Sequence, residues 1–324
     1  MDILLQVLLL VVGFALLIKG ADFFVEGSGS IARKLQIPDI IVGLTIVAMG
    51  TSAPELAVSI SAALGGSSDI AVGNVVGSNI LNILVILGLS AVIIPLAVDK
   101  TMFKRDFPML LLTAVLLPTL ALLFGNQVGL IAGLIFVAIF ALYIFLTVRA
   151  AIAYRKSGAT EGESKIKILP WWQSILYTIG GAAVIVLGGN LSVEAAKKIA
   201  TACGISEAII GLTVVALGTS LPELVTSVVA AKKGSSDIAL GNIVGSNIFN
   251  VLLILGVTSV IKPINVASNS IIDMFILLGI TIYLFIVCVT TKKINRVVGA
   301  SFLALYVGYT VYLICFSGQA VAIA

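Results

Sequence analysis

The chain has 324 residues, 60% of them hydrophobic and only 10% charged, with a mean hydropathy of +1.22 and a net charge of +4. Soluble domains carry roughly 25% charged residues, so the composition excludes a soluble globular protein and indicates an integral membrane protein. Histidine is absent, which excludes His-dependent triads, zincin sites and histidine proton relays. Cys203, Cys288 and Cys315 show neither a disulfide framework nor a metal-ligand spacing.

The apolar runs last about 20 residues, the length a helix needs to cross a ~30 Å hydrocarbon core, and lack the dyad alternation of barrel strands. The predicted class is an all-α polytopic membrane protein with ten transmembrane helices. In chain order the spans are 3–27, 38–63, 70–96, 106–124, 128–153, 171–196, 206–231, 238–261, 270–290 and 297–317. The first run follows Met1-Asp2 without a basic n-region or a small-residue cleavage site, and reads as a retained helix. A hydrophilic connection over 154–169 separates a first five-helix repeat, 1–153, from a second, 170–324.

Residues 43–88 recur at 211–256 with an offset of 168, and 32 of the 46 aligned positions are identical. The same offset pairs Gly13 with Gly181, Gly20 with Gly188, Glu26 with Glu194 and Pro95 with Pro263, so whole halves are related. Five spans per half make the second half enter from the opposite side, giving an inverted repeat of the kind found in secondary transporters. Lysine and arginine support that count: fifteen fall on loops 1–2, 3–4, 5–6, 7–8 and 9–10 with their helix ends, against three on the other face. The positive-inside rule then places 154–169 in the cytoplasm and both termini outside the cell membrane.

The chemistry lies inside the repeat. Span 2 reads Gly50-Thr51-Ser52-Ala53-Pro54-Glu55 and span 7 reads Gly218-Thr219-Ser220-Leu221-Pro222-Glu223. Each proline lacks the N–H that would bond the carbonyl four residues back, so a local break is expected beside the acid. Were the helix to continue, Thr51, Glu55 and Ser59 would share a face, as would Thr219, Glu223 and Ser227. Spans 3 and 8 carry Asn74, Ser78 and Asn82, and Asn242, Ser246 and Asn250, at the same spacing. The candidate ligands are the carboxylates of Glu55 and Glu223, the amides of Asn82 and Asn250, and the hydroxyls of Thr51, Ser52, Ser78, Thr219, Ser220 and Ser246. An ionised carboxylate within a membrane costs several kcal/mol without a partner. Oxygen ligands without thiolate or imidazole suit hard cations such as Na⁺ and Ca²⁺.

The GTS-x-PE and GN-x-x-GSN-x-x-N blocks, in two inverted copies, resemble the α-repeats of the sodium/calcium exchangers of the calcium/cation antiporter superfamily. The resemblance is to prokaryotic-type members without a regulatory domain, and covers both halves. It implies Na⁺/Ca²⁺ antiport by alternating access, with helices 1 and 6 sliding across a core of helices 2, 3, 7 and 8. It makes Glu55 and Glu223 shared ligands and adds the Ala48 and Ala216 carbonyls to Na⁺ sites. Where potassium-dependent relatives carry aspartate, this chain has Asn250, which argues against K⁺ dependence. Proton-coupled Ca²⁺ exchange at the same glutamates is the alternative. No enzymatic activity or cofactor is expected, nor a nucleic-acid or obligate protein partner; membrane lipid and the transported Na⁺ and Ca²⁺ are the expected contacts.

The remaining polar residues have structural readings. Asp69 and Asp237 follow Gly-Ser-Ser and are expected to cap helices. Asn74 and Asn242 are read as packing or outer groups, and Asn79 and Asn247 as pointing elsewhere on the helix. Glu26 and Glu194 are read as interfacial acids or vestibule groups, and Trp171-Trp172 as an interfacial anchor.

Overall fold

A computed structural model describes residues 3–66, 68–157, 167–203 and 216–316. Among these, eight helices are long and apolar enough to cross a membrane, and a bent pair makes nine. They are α1 (Ile3–Leu35), the pair α2 (Asp39–Thr51) and α3 (Ala53–Leu64), α4 (Ile70–Ile93), α5 (Asp106–Leu123) and α6 (Leu130–Lys156). The second half supplies α7 (Trp171–Ala202), α8 (Ala216–Thr219), α9 (Leu221–Lys232), α10 (Ser236–Ile261), α11 (Ser268–Thr291) and α12 (Arg296–Phe316). The seventh expected span, 206–231, falls among the described residues only from Ala216 onward, as α8 and α9.

Proline and glycine punctuate the chain where the sequence changes direction. Pro38 precedes α2 in an extended conformation (φ −60°, ψ 140°), where its missing N–H costs no helical bond. Gly66 after α3 and Gly234 after α9, equivalent under the 168-residue offset, have φ of +92° and +81°. A side chain at either position would strain the turn that feeds α4 or α10.

The longest helices, α1 and α7, pack against each other through small residues. A methyl group on Gly20 would lie 2.8 Å from the Ile185 backbone nitrogen, and one on Gly188 2.7 Å from that of Leu17. The two backbones are therefore in contact, as small-residue interfaces in membranes allow. The halves also interlock: α6 meets α10 at Gly133 and Gly256, and α12 meets α4 at Gly299 and Gly88. Two short antiparallel pairings repeat the exchange. Strand β1 (Leu96–Ala97) pairs with β4 (Lys293–Ile294), and β2 (Gln127–Val128) with β3 (Ile264–Asn265). At the centre lie α4 and α10, most of whose residues are buried.

Candidate functional site

The site forms where both repeats break their helices. Ser52 separates α2 from α3 with φ −85° and ψ 8°, and the two segments meet at 46°. Ser220, between α8 and α9, has nearly the same geometry, φ −93° and ψ 3°. The backbone is repaired around each break by Leu56 N–H donating to Ser52 O at 3.2 Å and Leu224 N–H to Ser220 O at 3.0 Å. Glu55 and Glu223 consequently sit in the first turns of α3 and α9, where the positive end of the helix dipole favours an anion.

The hydrogen bonds cross between repeats. The Ser52 hydroxyl donates to Glu223 Oε1 at 2.7 Å and lies 3.0 Å from Ser246 Oγ. Reciprocally, Ser220 donates to Glu55 Oε1 at 3.2 Å and lies 3.2 Å from Ser78 Oγ. Four elements from two repeats thus meet at one place, with both carboxylates 1% exposed. Among the described residues the ion pairs are Arg105–Asp106 and Lys233 with Asp22 and Glu26, so neither site glutamate has a basic partner.

An amide network orients the rest. Asn79 Nδ2 donates to the Asn247 carbonyl at 3.2 Å, and Asn247 Nδ2 to the Asn79 carbonyl at 3.4 Å. Because each NH₂ group is committed to a backbone acceptor, the Oδ1 atoms of Asn79 and Asn247 are left to accept. They accept from Asn250 Nδ2 at 2.9 Å and Asn82 Nδ2 at 3.0 Å, which fixes the flip of both amides. Among the described residues the Oδ1 atoms of Asn82 and Asn250 then have no hydrogen-bond partner, and neither have Glu55 Oε2 and Glu223 Oε2. All four are buried acceptors, a pattern that a donor-free hard cation satisfies.

A π turn begins at each of these two amides, over Asn82–Leu87 and Asn250–Leu255. These turns pack against α9 and α3, the helices that carry Glu223 and Glu55. Behind the carboxylates, Asn74 Nδ2 donates to Ser59 Oγ at 3.0 Å and to the Glu55 carbonyl at 3.3 Å. Asn242 does the same for Ser227 at 2.9 Å and the Glu223 carbonyl at 3.4 Å.

Several expectations change. Thr51 lies just before the break at Ser52, and its Oγ1 is 3.1 Å from Asn242 Oδ1. The Ala48 carbonyl keeps helical partners, accepting from Ser52 N–H at 3.0 Å with Thr51 Oγ1 at 3.3 Å. Thr219 closes α8, half-buried, and Ala216 opens it. Asp237 is no cap: Ser235 occupies that position, without a side-chain capping bond, and Asp237 lies in the first turn of the helix. The Asp69 side chain lies outside the described residues. Glu26 reaches Lys233 Nζ at 3.4 Å, while Glu194 is exposed. Trp171 and Trp172 are exposed, with the Lys34 ammonium 4.9 Å from the Trp171 ring centroid. The residues missed were Asn79 and Asn247; their recurrence at the repeat offset was the available signal.

A helical bundle whose broken spans bring paired carboxylates and acceptor oxygens together inside the membrane is the architecture of a secondary cation transporter. Comparison with known proteins gives the family. The sodium/calcium exchanger protein family model matches residues 5–149 and 173–315. The putative antiporter CaxA of Alkalimonas amylolytica is 39% identical over 94% of this chain and 98% of its own. The sodium/calcium exchanger MaX1 of Methanosarcina acetivorans is 34% identical over 94% of this chain and 97% of its own. A solved structure of the sodium-calcium exchanger NCX_Mj superposes with a TM-score of 0.84 at 34% identity, covering 96% of this chain and 99% of that one. The chain belongs to the sodium/calcium exchanger family; it is a multi-pass cation/Ca²⁺ antiporter of the membrane and not an enzyme.

Proposed function

We propose that the protein exchanges Na⁺ for Ca²⁺, with Glu55 and Glu223 as ligands common to both ions. The observation that carries this reading is the set of four buried acceptor oxygens, two of them on carboxylates, that find no donor among the described residues. Two carboxylates balance one Ca²⁺ or two Na⁺, so the full load of one ion excludes the other and transport becomes exchange. Ca²⁺ takes six to eight oxygens, and the Oδ1 atoms of Asn82 and Asn250 with the hydroxyls of Thr51, Ser52, Ser78, Thr219, Ser220 and Ser246 supply neutral ones. A third Na⁺ would depend on these and on the carbonyls of Ala48 and Ala216. Neutral oxygens of this kind serve a metal cation and do nothing for a proton, which favours Na⁺ as the coupling ion.

Proton coupling is the second reading, because a proton would also satisfy Glu55 Oε2 or Glu223 Oε2. Purified protein in vesicles, loaded in turn with Na⁺, with K⁺, or at low pH, separates the two through ⁴⁵Ca²⁺ uptake. Uptake only with internal Na⁺ is the expected result; uptake driven by a pH gradient in Na⁺-free buffer would replace Na⁺ by H⁺. In this reading 1–153 and 170–324 are the inverted repeats, 154–169 faces the cytoplasm of the cell, and both termini lie outside.

A further inference from the structure

The outer face of α2 and α6 carries a second candidate site, independent of the ions. A cavity of about 360 Å³ opens between them, with Leu35 and Ile37 at one end. Ile41 and Met49 of α2 line one wall; Ile144, Val148 and Ala151 of α6 line the other, and Arg155 stands at the end that Leu35 and Ile37 share. The wall holds two hydroxyls: Thr45 spends its own on the Ile41 carbonyl at 2.6 Å, and Thr147 is fully buried, so that below Arg155 the remaining wall residues are apolar.

The dimensions and the charge select an occupant. From Ile144 to Arg155 the helix rises about 16 Å at ~1.5 Å per residue, roughly half of the ~30 Å hydrocarbon core. The groove therefore extends about one leaflet deep, and it begins where α6 ends in Arg155 and Lys156, on the face rich in lysine and arginine. Among the described residues no carboxylate pairs with Arg155, which is exposed. A guanidinium at a groove mouth matches a phosphate by bidentate hydrogen bonding, and basic pockets between membrane helices on the cytoplasmic side bind anionic head groups. The charge is not duplicated: the residue 168 positions after Arg155 is Ile323.

We propose that this groove holds one acyl chain of an anionic phospholipid from the cytoplasmic leaflet, with its phosphate on Arg155. The chain end reaches Met49, three residues before the break at Ser52, so the lipid forms part of the wall behind α2.

Native mass spectrometry of the intact protein, released from nanodiscs of mixed phosphatidylglycerol and phosphatidylcholine, tests the proposal. Wild type and Lys156→Gln should retain one phosphatidylglycerol in preference to phosphatidylcholine. Arg155→Gln should lose about fivefold of that preference, the effect of one basic group at the surface. Val148→Trp, at an exposed wall position that tolerates a larger side chain, should lose the retained lipid altogether. Equal retention by wild type and Arg155→Gln, or no preference for the anionic lipid, would overturn the proposal. A wild-type dimer abolished by Val148→Trp would also overturn it, since a second copy would then occupy the groove.

Discussion

Around Glu55 the second repeat supplies Ser220, and around Glu223 the first supplies Ser52, so each half completes the other's acid. At the surface the halves diverge. Lys233, at the end of α9, pairs with Asp22 at 2.8 Å and Glu26 at 3.4 Å on α1. Its counterpart is Gly65, and the acids' counterparts are Asn190 and Glu194, so the mirrored position has no cation to offer. The difference separates two demands on one duplicated sequence. A site that serves both sides of the membrane needs matching halves, whereas orientation needs the ends to differ.

The strongest test of the matched region is to remove one acid at a time. Glu55→Gln and Glu223→Gln should each weaken Ca²⁺ binding by about 3–5 kcal/mol, the scale for leaving a buried charge without its partner. Isothermal titration of the purified variants, with ⁴⁵Ca²⁺ flux alongside, should show the two losses within a few-fold of each other. If one variant kept near wild-type affinity, the crosswise symmetry of the hydrogen bonds would not extend to function.

A smaller effect is expected from the amide network. Asn247→Ala removes the acceptor that orients Asn82, and Asn79→Ala does so for Asn250. Each should cost about 1–3 kcal/mol of cation affinity as a buried donor loses its partner. A double-mutant cycle of Asn247→Ala with Asn82→Ala should be strongly non-additive, because the first residue acts through the second. Additive losses would make Asn247 a packing residue after all.

The asymmetry in what could be read beforehand has a physical origin. Hydrophobic run lengths and the 168-residue offset made the spans and the repeat legible, because burial in lipid leaves little freedom of composition. Glu55 and Glu223 were legible for the same reason: an acid in such a run stands out. Asn79 and Asn247 were not, since a helical wheel places them off the Asn74–Ser78–Asn82 ladder and cannot register bonds made between α4 and α10. The π turns at Asn82 and Asn250 add no residue type that a sequence pattern would flag, although such turns often accompany functional sites.

The divergent region allows the mildest perturbation. Lys233 and its two acids are all partly exposed, and pairs of this kind contribute about 0.2–1 kcal/mol. Lys233→Gln should therefore leave folding and maximal flux nearly unchanged. Since the pair joins α1 to α9 on one side of the membrane only, its loss should alter apparent Ca²⁺ affinity unequally on the two faces, by less than about fivefold at that energy. Oriented vesicles assayed from each side would measure the ratio, and raising the salt should shrink it in wild type toward the Lys233→Gln value. Restoring a cation at the mirrored position with Gly65→Lys, opposite Glu194, should move the ratio back. A ratio indifferent to both substitutions would mean that the two surfaces differ for orientation alone and leave the exchange cycle symmetric.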